Sequence, residues 1–291
     1  MTQTPEDLAE TLTPHVYGAT GLGVLALTAP GDAHPRVEYA GGDLFVGLDD
    51  SATGRAVTEG DAKAWSRPFR EVAADAIRRA GALPAVAGGA LAIDDETVAA
   101  SVLIYPSRLS EVDLAGPPVL FALARDAVFV IGADDEDAVA HVLDRAEALY
   151  EGGGPLISAH PLVLTPEGWA PFAWREALPE LAPRFERVLR LYNVRAYEAQ
   201  APALQRPDLH VADPKIQMTD AGVTVTIAAW PKGTATLLPV VDNVIVADPA
   251  GTLSVATFDQ FLDAGGDAIV RTGLSPLRYF VPGAAPRGAQ A

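Results

Sequence analysis

The stretch Val119 to Tyr150, VLFALARDAVFVIGADDEDAVAHVLDRAEALY, constrains the fold more than any other part of the chain. Val119 to Leu123 and Ala127 to Ile131 are apolar runs rich in β-branched and aromatic residues, and the residues between them fit a short hairpin loop. Beyond the acidic turn Asp134-Asp135-Glu136-Asp137, the apolar residues Ala138, Val139, Val142, Leu143, Ala146, Leu149 and Tyr150 recur at helical spacing on one face. Asp134 or Asp135 is placed to accept hydrogen bonds from the free amides of the first turn, and Gly152 supplies the stop. A hairpin feeding an amphipathic helix predicts an α+β fold, with a mostly antiparallel sheet carrying helices on one face.

The acidic run also has the composition of a hard-cation site, but capping accounts for its position. Asp49-Asp50 and Asp94-Asp95-Glu96 likewise stand just before a change of local pattern, so the same reading extends to them. On this view the acids serve backbone termini and wet surfaces, and none is gathered for reaction.

Elsewhere, Thr4-Pro5-Glu6-Asp7 reads as a helix start leading to Leu8 and Leu12, with Pro14 closing the helix. Tyr17 to Gly23 contains Gly18, Gly21 and Gly23 with Glu38 downstream, which resembles a dinucleotide fingerprint. Val24 to Thr28 reads as a strand, however, and a fingerprint needs a helix there, so the glycines are expected to form a turn into a meander continued by Arg36 to Ala40 and Leu44 to Leu48. A helix is expected through Phe69, Val72, Ala73, Ala76, Ile77 and Ala80. Leu91 to Ile93 and Val98 to Ile104 are further apolar runs.

From Phe69 to Phe172, the EVAADAIRRAG helix, the segment LAIDDETVAASVLIYPSRLSEV, the RDAVFVIGAD strand and the hairpin PLVLTPEGWAPF resemble the YtpQ family of uncharacterised bacterial proteins. That resemblance implies an α+β fold and a bacterial cytosolic setting, with no activity to carry over.

The expected organisation is two domains: an α+β domain over 1–175, an arginine-bearing helix and linker over 176–206, a β-rich α+β domain over 207–282 and a disordered tail over 283–291. In the second domain Val223, Val225 and Ile227 alternate with Thr224 and Thr226 as in a half-exposed strand.

Composition narrows function mainly by exclusion. The 291 residues contain no cysteine, so disulfides, thiolate metal sites and cysteine nucleophiles are ruled out, and the expected location is cytoplasmic. A formal charge of −17 opposes binding to nucleic acid or anionic membrane, and no apolar run approaches the roughly 20 residues of a membrane helix. No phosphate-cradling loop, nucleophile elbow or zinc-binding helix motif occurs, and no cofactor is implied.

The residues singled out for binding are the aromatics Trp169, Phe172 and Trp174 and the basic run Arg184, Arg187 and Arg190. The latter has Glu180 and Glu186 at pairing distance along a helix. These features point to a non-catalytic binding, accessory or regulatory protein acting on a macromolecular partner, a protein being one candidate. The alternative is a metal-dependent hydrolase of a small molecule, with its site in a cleft between the domains and ligands drawn from His210, Asp213, Asp242 and Asp248.

Overall fold

The computed structural model describes residues 10–220 and 222–283. The fold is α+β, with helices packed on four mostly antiparallel sheets. The chain divides into two compact units, Met1–Leu189 and Arg190–Ala291, the division falling within a helix. The helix start at Thr4 to Asp7 and the tail from Ala284 lie outside the described residues.

In the first unit, β1 (Leu12–Gly18), β2 (Val37–Gly41) and β3 (Leu44–Asp50) form an antiparallel sheet in the order β1-β3-β2. Leu12 and Pro14 therefore belong to a strand. A helix, α1 (Ala19–Thr28), follows β1 directly and replaces the expected strand over Val24 to Thr28. Ala and Leu in that segment are good helix formers, and their preference prevails over the two β-branched positions. Two short helical segments follow at α2 (Glu59–Lys63) and α3 (Phe69–Ile77).

The second sheet of this unit contains β4 (Ala90–Ile93), β5 (Pro118–Ala124), β6 (Ala127–Gly132), β7 (Leu162–Thr165) and β8 (Gly168–Pro171), in the order β4-β6-β5-β7-β8. The central hairpin β5-β6 turns through Arg125 and Asp126, and its strands are buried almost throughout. Helix α4 (Glu96–Ile104) takes up the apolar run Val98 to Ile104. It is buried on nearly every side, which leaves no polar face and hence no 3.6-residue signal in the sequence.

Helix α5 (Glu136–Glu151) begins at Asp135, whose carboxylate accepts from the Ala138 amide at 2.9 Å. Gly152 caps its end, and Gly153, at φ +76°, takes the left-handed turn that an L side chain resists. After the short α6 (Trp174–Ala177), helix α7 (Ala182–Leu204) runs on through Pro202 into the segment expected to be linker.

The second unit has two four-stranded sheets. Strands β10 (Lys215–Met218), β11 (Thr224–Pro231), β13 (Asn243–Ala247) and β14 (Leu253–Thr257) lie in the order β10-β11-β13-β14. β9 (His210–Val211), β12 (Thr236–Pro239), β15 (Val270–Arg271) and β16 (Arg278–Val281) lie in the order β15-β16-β12-β9. The β11-β13 and β12-β9 pairs are parallel and the rest antiparallel. A core of Ala228, Leu238, Val244 and Val281 is closed by Phe258 and Phe261 of α8 (Phe258–Gly265), which starts in a Thr257–Gln260 capping box.

Arg278 on β16 is fully buried without a carboxylate partner. Its Nε donates to Gln200 Oε1 at 2.6 Å, Nη1 to the carbonyls of Ala212 at 2.7 Å and Leu237 at 3.1 Å, and Nη2 to the Tyr197 carbonyl at 3.4 Å. Burial pushes its pKa down to about 10, with Tyr197 and Asp213 acting the other way, so the group stays charged at neutrality and is solvated by carbonyl dipoles. Arg278→Ala strands those carbonyls beside a cavity and is expected to cost about 3 kcal/mol or more. Urea unfolding measures the loss; an unchanged midpoint would show that the carbonyls find other donors.

Candidate functional site

Acidic and imidazole groups from distant segments do meet in the first unit. Pairing of β1 with β3 sets Thr13 opposite Asp49, His15 opposite Gly47 and Tyr17 opposite Phe45, so His15, Tyr17 and Asp49 share one face. Gly47 makes this possible: a Cβ there would stand 2.7 Å from Tyr17 Cε2. The Tyr17 hydroxyl donates to Asp49 Oδ1 at 3.0 Å, and its ring meets that of His15 edge to face at 4.7 Å.

Two further elements complete the cluster. Glu96, the first residue of α4, brings Oε2 to 2.7 Å from His15 Nδ1. Arg125, at the tip of the β5-β6 hairpin, reaches Asp49 Oδ2 with Nη2 at 2.7 Å and Glu96 Oε1 with Nε at 3.1 Å. Its Nη2 also meets His15 Nδ1. A single ring nitrogen cannot donate to Glu96 and accept from Arg125 at once, so the imidazole proton decides which contact is made.

The electrostatics follow from burial and pairing. Burial, reinforced by the Asp49 charge and hydrogen bond, pushes the Tyr17 hydroxyl far above its ordinary value, so it remains a donor. Burial alone would raise Glu96, but the His15 hydrogen bond and the His15 and Arg125 charges outweigh it and hold the carboxyl below its ordinary value.

The expectation that no such groups gather is thus corrected for Asp49 and Glu96. In each acidic run one residue serves the backbone and its neighbour turns to the cluster. Asp50 accepts from the amides of Ala52 and Thr53, both at 2.9 Å, and Asp95 accepts from Val98 at 2.8 Å. What the cluster offers chemically is limited. His15 and Asp49 are buried, the polar groups satisfy one another, and a guanidinium stands between the two carboxylates. Its geometry is that of a tie joining the first sheet, α4 and the central hairpin.

The glycine fingerprint has the strand and helix it requires, since Gly18 is the N-cap of α1. The space for a phosphate is nevertheless taken. The Ala19 amide donates to the Asp43 carbonyl at 2.8 Å, a Cβ on Gly18 would lie 2.5 Å from the Ile157 carbonyl oxygen, and Glu38 pairs with Arg36 at 3.2 Å.

The residues singled out from the sequence are dispersed. Trp169 is buried with Nε1 donating to the Leu103 carbonyl at 3.1 Å, Trp174 is buried against Phe185 at 4.8 Å between centroids, and Phe172 is half-buried. Arg184 pairs with Asp144 at 2.5 Å, Arg187 with Glu147 at 3.3 Å, and Arg190 with Asp242 at 2.9 Å. Among the described residues no group of three or more His, Asp or Glu side chains is placed to hold a metal ion. The set His210, Asp213, Asp242 and Asp248 is divided: Asp242 is held by Arg190 and Thr226, Asp248 pairs with Lys232 at 3.3 Å, and His210 lies on β9 in the other sheet.

An outward apolar surface in the second unit is the feature missed in the sequence. The alternation on β11 is present with its faces reversed: Thr224 and Thr226 are 8% and 6% exposed, while Val223 is 52% exposed. Asp242 causes the reversal, because its Oδ2 accepts from both the amide and the hydroxyl of Thr226 at 2.7 Å, which draws the threonine inward. The outward positions then form two cross-strand rows, Ala229-Ile245-Val255 and Pro231-Ala247-Leu253, ending at the edge strand β14. Leu253 and Val255 are 67% and 68% exposed, and β14 carries no charged residue.

No protein-family model, curated protein or solved structure matches the chain.

The Arg125 cluster predicts an acid response. A carboxyl held below its ordinary value of 4.5 adds stability that is complete above that pH and is lost as pH falls through the lower folded value. Glu96→Gln should therefore be less stable than the parent at neutrality, with the gap closing in acid. Urea midpoints over that range check this, and a gap independent of pH would contradict it.

Proposed function

We propose that this chain is a non-catalytic binding or accessory protein, and that it engages a protein partner through the outward corner of the β10-β11-β13-β14 sheet. The observation that carries the reading is the edge strand β14: uncharged, without proline, and flanked by an apolar double row. Such edges are ordinarily blunted by charge or proline, because their free amides and carbonyls invite another strand. An apolar surface facing water in this way is characteristic of interaction sites.

The partner segment this favours is extended, adding to β14 through main-chain hydrogen bonds, with alternate apolar side chains over Leu253 and Val255. A net charge of −17 sets two copies of the chain against each other and favours basic residues beside the apolar ones. The same charge disfavours nucleic acid, and a chain without cysteine is in keeping with a cytoplasmic setting. Among the described residues no helix is long and apolar enough to cross a membrane. Metal-dependent hydrolysis through His210, Asp213, Asp242 and Asp248 has no comparable support, since Asp242 and Asp248 are each engaged by a cation. The YtpQ resemblance of residues 69–172, which we retain as a proposal, adds no activity.

The test uses a fluorescein-labelled peptide of alternating valine and threonine with lysine flanks. Its anisotropy should rise on titration with the protein. Val255→Asp, which buries a charge in the interface, should weaken binding by about tenfold or more. Equal binding by parent and variant, or sedimentation showing that the face is closed in a dimer, would overturn the proposal.

A further inference from the structure

A groove in the first unit, remote in sequence from the β14 edge, carries an independent inference. It has a volume of about 400 Å³, within the range of small-molecule sites, and lies among β2, β3, α3 and the end of α4. Val46, Ile77 and Leu103 supply an apolar floor, and all three are buried members of one core cluster. The lining also includes the polar residues Arg70, Tyr105, Tyr39 and Glu38, of which Tyr39 is exposed.

The charges in this groove are unequal in their engagement. Glu38 is paired with Arg36 at 3.2 Å. Arg70 makes no ion pair with any described residue, although acids outnumber bases 38 to 21 in the chain and the neighbouring arginines Arg67 and Arg78 are both paired. The uncompensated charge in the groove is thus positive, set above an apolar floor. A planar guanidinium matches a carboxylate in two parallel hydrogen bonds, and an aromatic ring matches a flat apolar body.

We propose that this groove binds a small amphipathic monocarboxylate, its apolar body on Val46, Ile77 and Leu103 and its carboxylate on Arg70. Tyr105, also in the lining, offers a second donor in our proposal, its hydroxyl making no hydrogen bond to a described residue. Nothing here depends on β14, and no turnover of the ligand is implied.

The probe is 1-naphthoate, titrated calorimetrically into the full chain, with 1-naphthalenemethanol as the uncharged counterpart. Naphthoate should bind more tightly than the alcohol. Arg70→Gln should weaken naphthoate by about tenfold or more, the worth of a charged hydrogen bond, and leave the alcohol unchanged. Ala74→Phe, which fills the groove from a partly exposed wall position, should abolish binding of both. Val255→Asp should leave naphthoate affinity unchanged, so that failure of this site and failure of the β14 reading are separable. No binding of naphthoate to the parent, or equal affinity in Arg70→Gln, would overturn the assignment.

Discussion

The guanidinium of Arg125 is held by Asp49 at 2.7 Å and Glu96 at 3.1 Å, and much of the first unit depends on that placement. The arginine stands at the tip of a hairpin whose strands are buried almost throughout, so its position is set by the core of the second sheet. Asp49 comes from the first sheet and Glu96 from the start of α4. One planar cation thereby fixes three elements distant in sequence. Removing it would leave two carboxylates facing each other beside a buried imidazole, an arrangement that costs more than the pairs contribute when intact.

The second unit uses the same chemistry with different acceptors. Arg278 is surrounded by carbonyl oxygens, and Asp242 by the guanidinium of Arg190 and the amide and hydroxyl of Thr226. Satisfying Asp242 has a consequence for the surface. With Thr226 drawn inward, the odd-numbered positions of β11 are turned to the outer face, where Ala229 and Pro231 join the apolar rows that end at β14. A buried polar demand and an exposed apolar face are thus two sides of one strand, coupled by the period of two in side-chain direction.

The central hairpin and α5 were legible because their signals are local. Two apolar runs around Arg125-Asp126, an acid at the helix start and helical spacing up to Tyr150 all reappear in the structure. Helix α4 was not legible as a helix, because an element buried on every side shows no amphipathic period. The strand predicted at Val24 to Thr28 failed on a segment that lacks either clear period. The Arg125 cluster was hidden for a different reason: Asp49 and Glu96 sit beside true backbone-serving acids, and only tertiary pairing distinguishes Asp49 from Asp50 or Glu96 from Asp95. The reversed face of β11 also escaped reading, since alternation specifies that two faces differ without specifying which one the core takes when a half-buried aspartate recruits threonine.

Across both units the conspicuous charges largely serve one another. Energetic coupling within the Arg125 cluster tests this most directly. Unfolding free energies of the parent, Asp49→Asn, Arg125→Met and the double variant give the interaction between the two side chains. The account predicts a favourable coupling of about 1–3 kcal/mol, the double variant being far less destabilised than the sum of the single ones. Coupling near zero would contradict it, since Asp49 and Arg125 would then be independent groups held in place for some other purpose.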